Sequence, residues 1–323
     1  MKQPDLSIII ANYNRKDLVK QSIDSIKKHT KEINYEFIVI DDCSTDDSVE
    51  FIKKNIPGIN LIVNEKNSGP VVANNNGIKK SKGRYILVLD NDTIFQDNVL
   101  KQMVDYMDKN PKVGVTGCKL VYPDGSFQKT CGDVFKPATK IIRDFLLNLL
   151  LPWNKITDKN KFNQEFHNNF NKVEYLCSAV SMMRREAVKK VGLSDEQYHM
   201  YADELDWFYR ISKKHNWDIM HLPYGPIIHY GGASGRSNNK EAVAEKYQIK
   251  AFHNSILFYK KNYGLMSSLL YRTLMFFSLS GKSIISLLKF NKNNLGEAKI
   301  KLKLIKMVFT PIKVVPREPA LLS

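Results

Sequence analysis

The first third of the chain alternates short apolar runs with amphipathic stretches. Runs at 6–10, 36–40, 60–63 and 85–89 have the length and composition of buried strands. Between them, 16–29, 44–52 and 71–81 are predicted to be helical, and a further helix at 98–110 is closed by Pro111. This order predicts an α/β fold with a Rossmann-like, mainly parallel central sheet and helices on both faces.

Three of the predicted strands end in polar clusters. The clusters are Asn12-Tyr13-Asn14-Arg15, Asp41-Asp42 and Asp90-Asn91-Asp92. The carboxyl ends of parallel strands lie along one edge of an open α/β sheet, where ligands bind. Turn residues explain any one cluster, but three clusters together favour a ligand site.

The spacing of Asp90 and Asp92 suggests a metal site. Two carboxylates at a strand end are hard oxygen ligands, suited to holding Mg²⁺ or Mn²⁺ against a phosphate. No G-x-G-x-x-G follows the first strand and no G-x-x-x-x-G-K-[ST] occurs, so dinucleotide-binding and P-loop folds are disfavoured. A D-x-D pair alone is common by chance, and the rest of the chain decides its meaning.

The second half offers two further chemical groups. Asp203 and Glu204 begin a predicted helix, where a carboxylate can serve as a general base or simply complement the helix dipole. His229 precedes a glycine-rich basic loop and is a candidate third metal ligand, with a structural histidine as the alternative. The region 135–172 is less orderly, and we expect either an insertion that shapes an acceptor site or a helix packed on the core.

Cysteine content indicates the redox compartment, and charge indicates the kind of partner. The four cysteines of this 323-residue chain are far apart and form no C-x-x-C, which argues against a zinc site or disulfides and fits a reducing cytosol. The net charge is +16, and residues 246–323 carry 14 Lys and Arg against Glu297 and Glu318. This basic tail on a nearly balanced body suggests a polyanionic partner, either nucleic acid or an anionic membrane.

The tail is apolar as well as basic. Between Leu265 and Lys289 the apolar residues are interrupted by Arg272 and Lys282, so no run approaches the ~20 residues of a membrane span. The pattern predicts basic amphipathic helices on an anionic membrane surface, and the alternative is a helix packed on the catalytic domain. With no secretory signal evident, we expect a cytoplasmic protein, peripheral on the inner face of the cell membrane.

Taken in order, these motifs resemble those of family-2 glycosyltransferases of the GT-A fold, especially the rhamnosyltransferase-like branch. The resemblance runs from about Leu6 to Ser234. It rests on residues 7–15, 39–46, 67–69, 74–77, 90–92, 195–196, 203–206 and 229–234.

The resemblance implies an organisation and a set of roles. Residues 1–240 would form the catalytic domain, with a nucleotide-sugar half at about 1–115 and an acceptor half at about 116–240, and 241–323 would be a helical basic region. Asp92 and His229 would hold Mg²⁺ or Mn²⁺. The implied nucleotide-sugar contacts are Asn12, Tyr13, Asn14, Arg15, Asp41, Asp42, Asn67, Gly69, Asn75, Asp90 and Asn91.

Two departures from the family pattern concern the acceptor side. The family often shows Glu-Asp-x-Asp with the second residue as base, whereas here the order is Asp203-Glu204-Leu205-Asp206. Alignment on Asp206 makes Glu204 the base, with Asp203 as the alternative. Ser178-Ala179 also replaces a common Gly-Ala pair.

The expected function is an inverting, metal-dependent transfer of a sugar, with rhamnose as the first expectation, from a UDP- or dTDP-linked donor. The acceptor would be a glycan or a lipid-linked molecule in cell-surface polysaccharide synthesis. A nucleotidylyltransferase is an alternative, but Asn12-Tyr13-Asn14-Arg15 lacks the glycine-rich loop that it would show. An RNA-binding protein is another, but we identify no aromatic platform interleaved with basic residues, so no nucleic-acid partner is expected.

Overall fold

The computed structural model describes residues 3–132, 162–198, 202–231, 240–288 and 292–315. Residues 3–132 and 162–231 belong to one compact unit, and residues 240–288 and 292–315 belong to a second. Most of the irregular region predicted at 135–172, and the basic loop after Gly231, lie outside the described residues.

The first unit is built on a sheet flanked by helices. Its longer strands are β1 (Leu6–Asn12), β2 (Tyr35–Asp41), β3 (Asn60–Val63), β4 (Tyr85–Leu89), β6 (Val113–Gly117), β12 (Val180–Arg184) and β13 (Asp218–His221). Its short strands are β5 (Thr93–Ile94), β7 (Leu120–Val121), β8 (Phe127–Gln128), β9 (Cys131–Gly132), β10 (Asn171–Lys172), β11 (Tyr175–Leu176) and β14 (Ile227–His229). Its helices are α1 (Lys16–His29), α2 (Ser48–Asn55), α3 (Pro70–Lys80), α4 (Val99–Lys109), α5 (Arg185–Val191) and α6 (Asp203–Tyr209).

The main sheet confirms the α/β class predicted from the first third of the chain. Its strand order is β10-β13-β6-β12-β4-β1-β2-β3. Strand β1 runs parallel to β2 and β4, and β2 runs parallel to β3, whereas β12 runs antiparallel to both β4 and β6. Residues 173–185 are largely apolar in the sequence and could form a single strand. They form two, because β11 and β12 are separated by residues 177–179.

The apolar runs of the strands are continuous because both faces of the sheet are buried. Successive side chains point to opposite faces of a sheet, so Ile8 and Ile10 enter one buried cluster and Ile9 enters another. The first cluster includes residues of α1 and α4, and the second includes residues of α3 and α6. Helices cover both faces, which is the condition under which parallel strands have nearly continuous apolar runs.

Helix α3 lies unusually close to the sheet. A Cβ atom at Gly77 would stand 2.5 Å from Ile9 Cγ2 and 2.5 Å from Ile40 Cδ1, so only glycine allows this approach. The glycine of the sequence motif at 74–77 therefore has a packing role, and it places Asn75 in the buried layer beside the sheet.

The second unit is helical. Helix α7 (Lys240–Leu288) breaks at Gly264, which has φ 86° and ψ 178°, and the chain turns back so that the rings of Tyr259 and Tyr271 lie 4.6 Å apart. Helix α8 (Lys292–Val308) follows, and the Arg272 guanidinium donates a 2.6 Å hydrogen bond to the Val308 carbonyl. Among the described residues, no helix combines the length and the apolar character needed to cross a membrane.

Candidate active site

The polar ends of β1 and β2 meet directly. Parallel pairing sets Asn12 beside Asp41, and the Asn12 amide donates a 2.8 Å hydrogen bond to the Asp41 carboxylate. Ser44 donates to the same carboxylate from its backbone N–H at 2.8 Å and from its hydroxyl at 2.7 Å. Ser44 was predicted to begin a helix, but α2 begins at Ser48 because Ser44 is committed to Asp41. Asp41 is fully buried, so its charge is balanced by local donors.

Asp42 has a similar arrangement on the next loop. Its carboxylate accepts hydrogen bonds from the Asn64 amide at 2.8 Å, from the Ser68 N–H at 3.1 Å and from the Gly69 N–H at 2.8 Å. The side chain is buried. Since an ionised carboxylate offers about four acceptor sites, Asp42 is close to saturated, and it fixes the loop that carries the exposed side chain of Asn67.

The loop after β1 presents a tyrosine to solvent. Asn14 adopts a left-handed conformation, with φ 54°, and its side-chain oxygen accepts the Thr45 N–H at 2.8 Å. The Arg15 N–H donates to the Asn12 side chain at 3.2 Å. These contacts join the first two loops of the sheet edge, and Tyr13 between them is 44% exposed. Of this cluster, Tyr13 is the side chain most open to a ligand.

Asn75 makes its side-chain hydrogen bonds to a different part of the chain. Its buried amide donates to the Ser194 carbonyl and to the Glu196 carboxylate, both at 2.9 Å. It therefore ties α3 to the turn at 194–198. Its contact with a nucleotide-sugar stays a prediction.

Asp90, Asp92 and His229 come together at the end of β4. His229 Nε2 lies 3.2 Å from Asp92 Oδ1 and 3.6 Å from Asp90 Oδ2. Strand β14 carries His229 to this place by pairing with β5, which sets His229 opposite Thr93. Asn91, between the two aspartates, turns away and donates to the Ala11 carbonyl at 3.0 Å. One ligand atom from each of the three side chains lies within 4.8 Å of the others.

Gln128 orients the histidine. Its side-chain oxygen lies 3.0 Å from His229 Nδ1, and an amide oxygen can only accept, so Nδ1 carries the proton. The Nε2 atom then faces the carboxylates. A ligating histidine commonly has its other ring nitrogen held in this way. Sequence reasoning did not single out Gln128, because nothing in the sequence near 128 indicates a partner 101 residues away.

The electrostatics of this cluster favour a bound cation. Loss of solvation raises the pKa of Asp90 to about 6, the charges of Asp92 and Glu204 add to the rise, and His229 opposes it. The Asp90 side chain is nevertheless 48% exposed, so the carboxylate faces the open side of the site. Burial lowers the pKa of His229, but the hydrogen bond and charge of Asp92, with the charge of Asp90, raise it overall. Two carboxylates and an imidazole fit Mg²⁺ or Mn²⁺.

A second pair of carboxylates stands at the start of α6. The Tyr175 hydroxyl donates to Glu204 Oε1 at 3.2 Å. Burial raises the pKa of Asp203 well above its ordinary value, and the charge of Glu204 and a hydrogen bond between the two raise it further. Within the pair, the surroundings of Asp203 therefore favour its protonated form. Glu204 lies near enough to Asp90 for its charge to raise the pKa of that residue.

The last acidic residue of the Asp203-Glu204-Leu205-Asp206 motif has a structural position. Asp206 is fully buried and forms a 2.8 Å ion pair with Arg210, which in turn donates to the carbonyls of Val191 and Leu193. The motif thus consists of a pair of acids at the candidate site, Asp203 and Glu204, and a buried aspartate, Asp206, that is held by Arg210.

Comparison with known proteins agrees with this fold. The family model described as Glycosyl transferase family 2 matches residues 7–192, more than half of the chain. The chain belongs to glycosyltransferase family 2. Family membership leaves the nucleotidylyltransferase and RNA-binding alternatives without support.

Two curated relatives match over part of their length. A putative teichuronic acid biosynthesis glycosyltransferase, TuaG of Bacillus subtilis, is 30% identical over 128 residues, which are 38% of this chain and 50% of the relative. The succinoglycan biosynthesis protein ExoO of Rhizobium meliloti is 32% identical over 126 residues, 38% of this chain and 36% of the relative. The chain thus spans half or less of the length of these relatives.

A solved structure shares the fold. The mannosyltransferase PcManGT of Pyrobaculum calidifontis, in complex with GDP-Man and Mn²⁺, aligns over 94% of this chain and 86% of its own with a TM-score of 0.52 and 14% identity. The fold is therefore that of the GT-A glycosyltransferases.

Asp42→Asn tests whether this carboxylate anchors its loop. An amide in its place would oppose N–H donors from Ser68 and Gly69, so we expect a loss of about 2 kcal/mol in the free energy of unfolding. Urea denaturation monitored by circular dichroism measures this. Asp24→Asn, at an exposed ion pair with Lys20, should change stability by less than about 0.5 kcal/mol. Unchanged stability in Asp42→Asn would contradict the anchoring role.

Proposed function

We propose that this protein transfers a sugar from a nucleoside-diphosphate donor to a glycan or lipid-linked acceptor, with inversion at the anomeric carbon and with a divalent cation, Mg²⁺ or Mn²⁺. The observation that carries the proposal is the cluster of Asp90, Asp92 and His229 with the Asp203–Glu204 pair nearby. One group binds charge on the leaving phosphate, and the other accepts a proton from the nucleophile.

The donor side is assigned to the edge formed by β1, β2 and β4. Asp92 and His229 would hold the cation, with Asp90 contacting the cation or the donor on the open side. A divalent cation bound there would stabilise the negative charge that develops on the departing diphosphate. Tyr13 and the loop 64–69, fixed by Asp42, would contact the nucleoside.

The acceptor side is assigned to Glu204. As the acceptor hydroxyl oxygen bonds to the anomeric carbon, the bond from that carbon to the diphosphate oxygen breaks, and the hydroxyl proton passes to the Glu204 carboxylate. Tyr175 holds one Glu204 oxygen in place. Burial and the charge of Glu204 raise the pKa of Asp203, which disfavours a second negative charge in the pair. A single displacement of this kind inverts the anomeric configuration.

The choice of donor and pathway rests on likeness. TuaG and ExoO are named for teichuronic acid and succinoglycan biosynthesis, and PcManGT was solved with GDP-Man and Mn²⁺. We extend this to a role in cell-surface polysaccharide synthesis. A UDP- or dTDP-linked donor, with rhamnose as the first sugar to test, follows from the resemblance of the motifs. Residues 1–240 would be the catalytic domain.

We further propose that the region 241–323 binds an anionic membrane at its cytoplasmic face. The second half of α7 carries large exposed apolar side chains at helical spacing, Met266, Leu270, Phe277 and Ile284, with exposed fractions of 53–77%. Residues three, four or seven apart share one face of a helix. The +12 charge of residues 246–323 complements anionic lipids, which would sit near a lipid-linked acceptor.

Asp92→Ala should abolish metal-dependent transfer while leaving the fold intact. Removing a ligand that also pairs with His229 should reduce turnover by about 100-fold or more, since the charge on the leaving group is no longer balanced. Donor hydrolysis and transfer measured across a panel of UDP- and dTDP-sugars with and without Mn²⁺ would show this. Asp24→Ala is the matched surface control, and transfer by Asp92→Ala at the wild-type rate would refute the metal assignment.

Glu204→Gln and Asp203→Asn should separate the two acids. The glutamine keeps the Tyr175 contact but cannot accept a proton, so we expect kcat to fall by about 10²–10⁴-fold with little change in donor KM. Asp203→Asn should lower kcat by about tenfold at most, because burial and the charge of Glu204 already favour the uncharged form of that group. The reverse order would assign the base to Asp203, and NMR showing a retained anomeric configuration would rule out the single displacement.

The triple substitution Leu270→Gln, Phe277→Gln and Ile284→Gln should weaken binding to anionic vesicles by about tenfold or more, since each side chain contributes apolar area at the interface. Co-sedimentation with phosphatidylglycerol and with phosphatidylcholine vesicles measures this. Val63→Gln, at an exposed apolar position of the first unit, is the control. Equal binding by wild type and triple variant would contradict a membrane surface at this face.

A further inference from the structure

Away from the candidate active site, three side chains with soft or borderline donor atoms converge in the interior of the first unit. Cys131 lies on β9, His167 lies on a short helical turn at Phe166–Asn168, and His221 ends β13. All three are buried, and one donor atom from each lies within 4.8 Å of the others. The proposed transfer reaction uses none of them.

The hydrogen bonds of the two histidines fix which nitrogen each ring turns inward. His167 Nδ1 lies 2.7 Å from the Asn163 carbonyl, and His221 Nε2 lies 3.1 Å from the His167 carbonyl. A carbonyl oxygen can only accept, so both of these nitrogens carry the proton. The lone pairs are therefore on His167 Nε2, which lies beside Cys131 Sγ, and on His221 Nδ1, which lies beside the Thr130 hydroxyl.

This is the arrangement that metal-binding histidines adopt. A ligating imidazole usually donates its other N–H to a carbonyl or carboxylate, which fixes the tautomer and the direction of the ring. Cys131 Sγ lies 3.3 Å from His167 Nε2. In a tetrahedral zinc site, bond lengths of about 2.3 Å to sulfur and about 2.0 Å to nitrogen place neighbouring donors roughly 3.5 Å apart.

We propose that Cys131, His167 and His221 bind a zinc ion. One thiolate and two imidazoles select zinc over Mg²⁺ and Mn²⁺, which prefer the oxygen-rich set of Asp90 and Asp92. The Thr130 hydroxyl, 3.5 Å from His221 Nδ1, or a water completes four-coordination. The Thr130 N–H donates to His167 Nε2 at 3.1 Å, and the zinc bond replaces this hydrogen bond. On binding, the Cys131 thiol loses its proton to solvent.

Zinc here would connect three separate parts of the chain to the acceptor side. Cys131 precedes and His167 follows residues 133–161, and β13 belongs to the main sheet. Strand β9 pairs with β11, which sets Leu176 opposite Cys131 and carries Tyr175, the hydrogen-bond partner of Glu204. The role assigned to the ion is structural: it holds the strand from which Glu204 is positioned.

The test is the metal content of the full-length protein, purified without a polyhistidine tag and dialysed against metal-free buffer. Elemental analysis should find about one zinc per chain, and Asp92→Ala should retain it, because the two sites share no ligand. Cys131→Ser should lose the zinc. Cys118→Ser, at another buried cysteine, should keep it. The measurement needs no transfer activity, so its outcome is independent of the proposed reaction.

Cobalt provides a second measurement if Cys131→Ser does not fold. Adding Co²⁺ to chelator-treated wild-type protein should produce a thiolate-to-cobalt charge-transfer band, and His221→Gln should weaken Co²⁺ binding by about 10-fold or more. Zinc well below one per chain together with no cobalt band would overturn the proposal and leave a hydrogen-bonded cluster of neutral side chains. Retention of zinc by Cys131→Ser would overturn it as well.

Discussion

The burial of carboxylates at one edge of the sheet is the constraint on which the site depends. Parallel pairing of β1, β2 and β4 brings acidic residues to a place where little water remains. An unpaired buried charge is strongly destabilising, so each buried carboxylate requires its own donors. Asp41 receives them from Asn12 and Ser44, and Asp42 receives them from the backbone at 68–69. The same hydrogen bonds that make these charges tolerable also fix the loops around the site.

The same reasoning separates the acids with structural partners from those that we propose to be reactive. Asp206 is paired with Arg210, and burial with the charge of Glu204 raises the pKa of Asp203. Glu204 receives one hydroxyl donor from Tyr175 and lies beside Asp203. Asp90 has His229 as its basic neighbour within the described part of the chain, and it keeps much of its surface open. Asp90 and Glu204 are the two carboxylates that we propose take part in the reaction.

Much of the fold could be predicted from the first third of the sequence, because buried parallel strands require continuous apolar runs and their crossover helices require apolar residues at helical spacing. The second half of the fold was harder to predict from the sequence. Strand β12 is five residues long and lies antiparallel between β4 and β6, and its insertion there depends on pairing with strands far away in the sequence. The apolar pattern at 173–185 is the same whether it forms one strand or two.

The sequence by itself determined the order of strands and helices, the polar strand ends, and the motifs that place the chain in its family, since these depend on neighbouring residues. Only the tertiary structure decided which polar side chains already have hydrogen-bond partners within the protein. It showed that Asp42 anchors a loop, that Asn75 ties down a distant turn, and that Gln128 orients His229. It also brought Cys131 together with His167 and His221. In the sequence, the wide spacing of the cysteines had argued against a zinc site. Such contacts link residues tens of positions apart, and their geometry is set by the packing of the sheet rather than by local sequence.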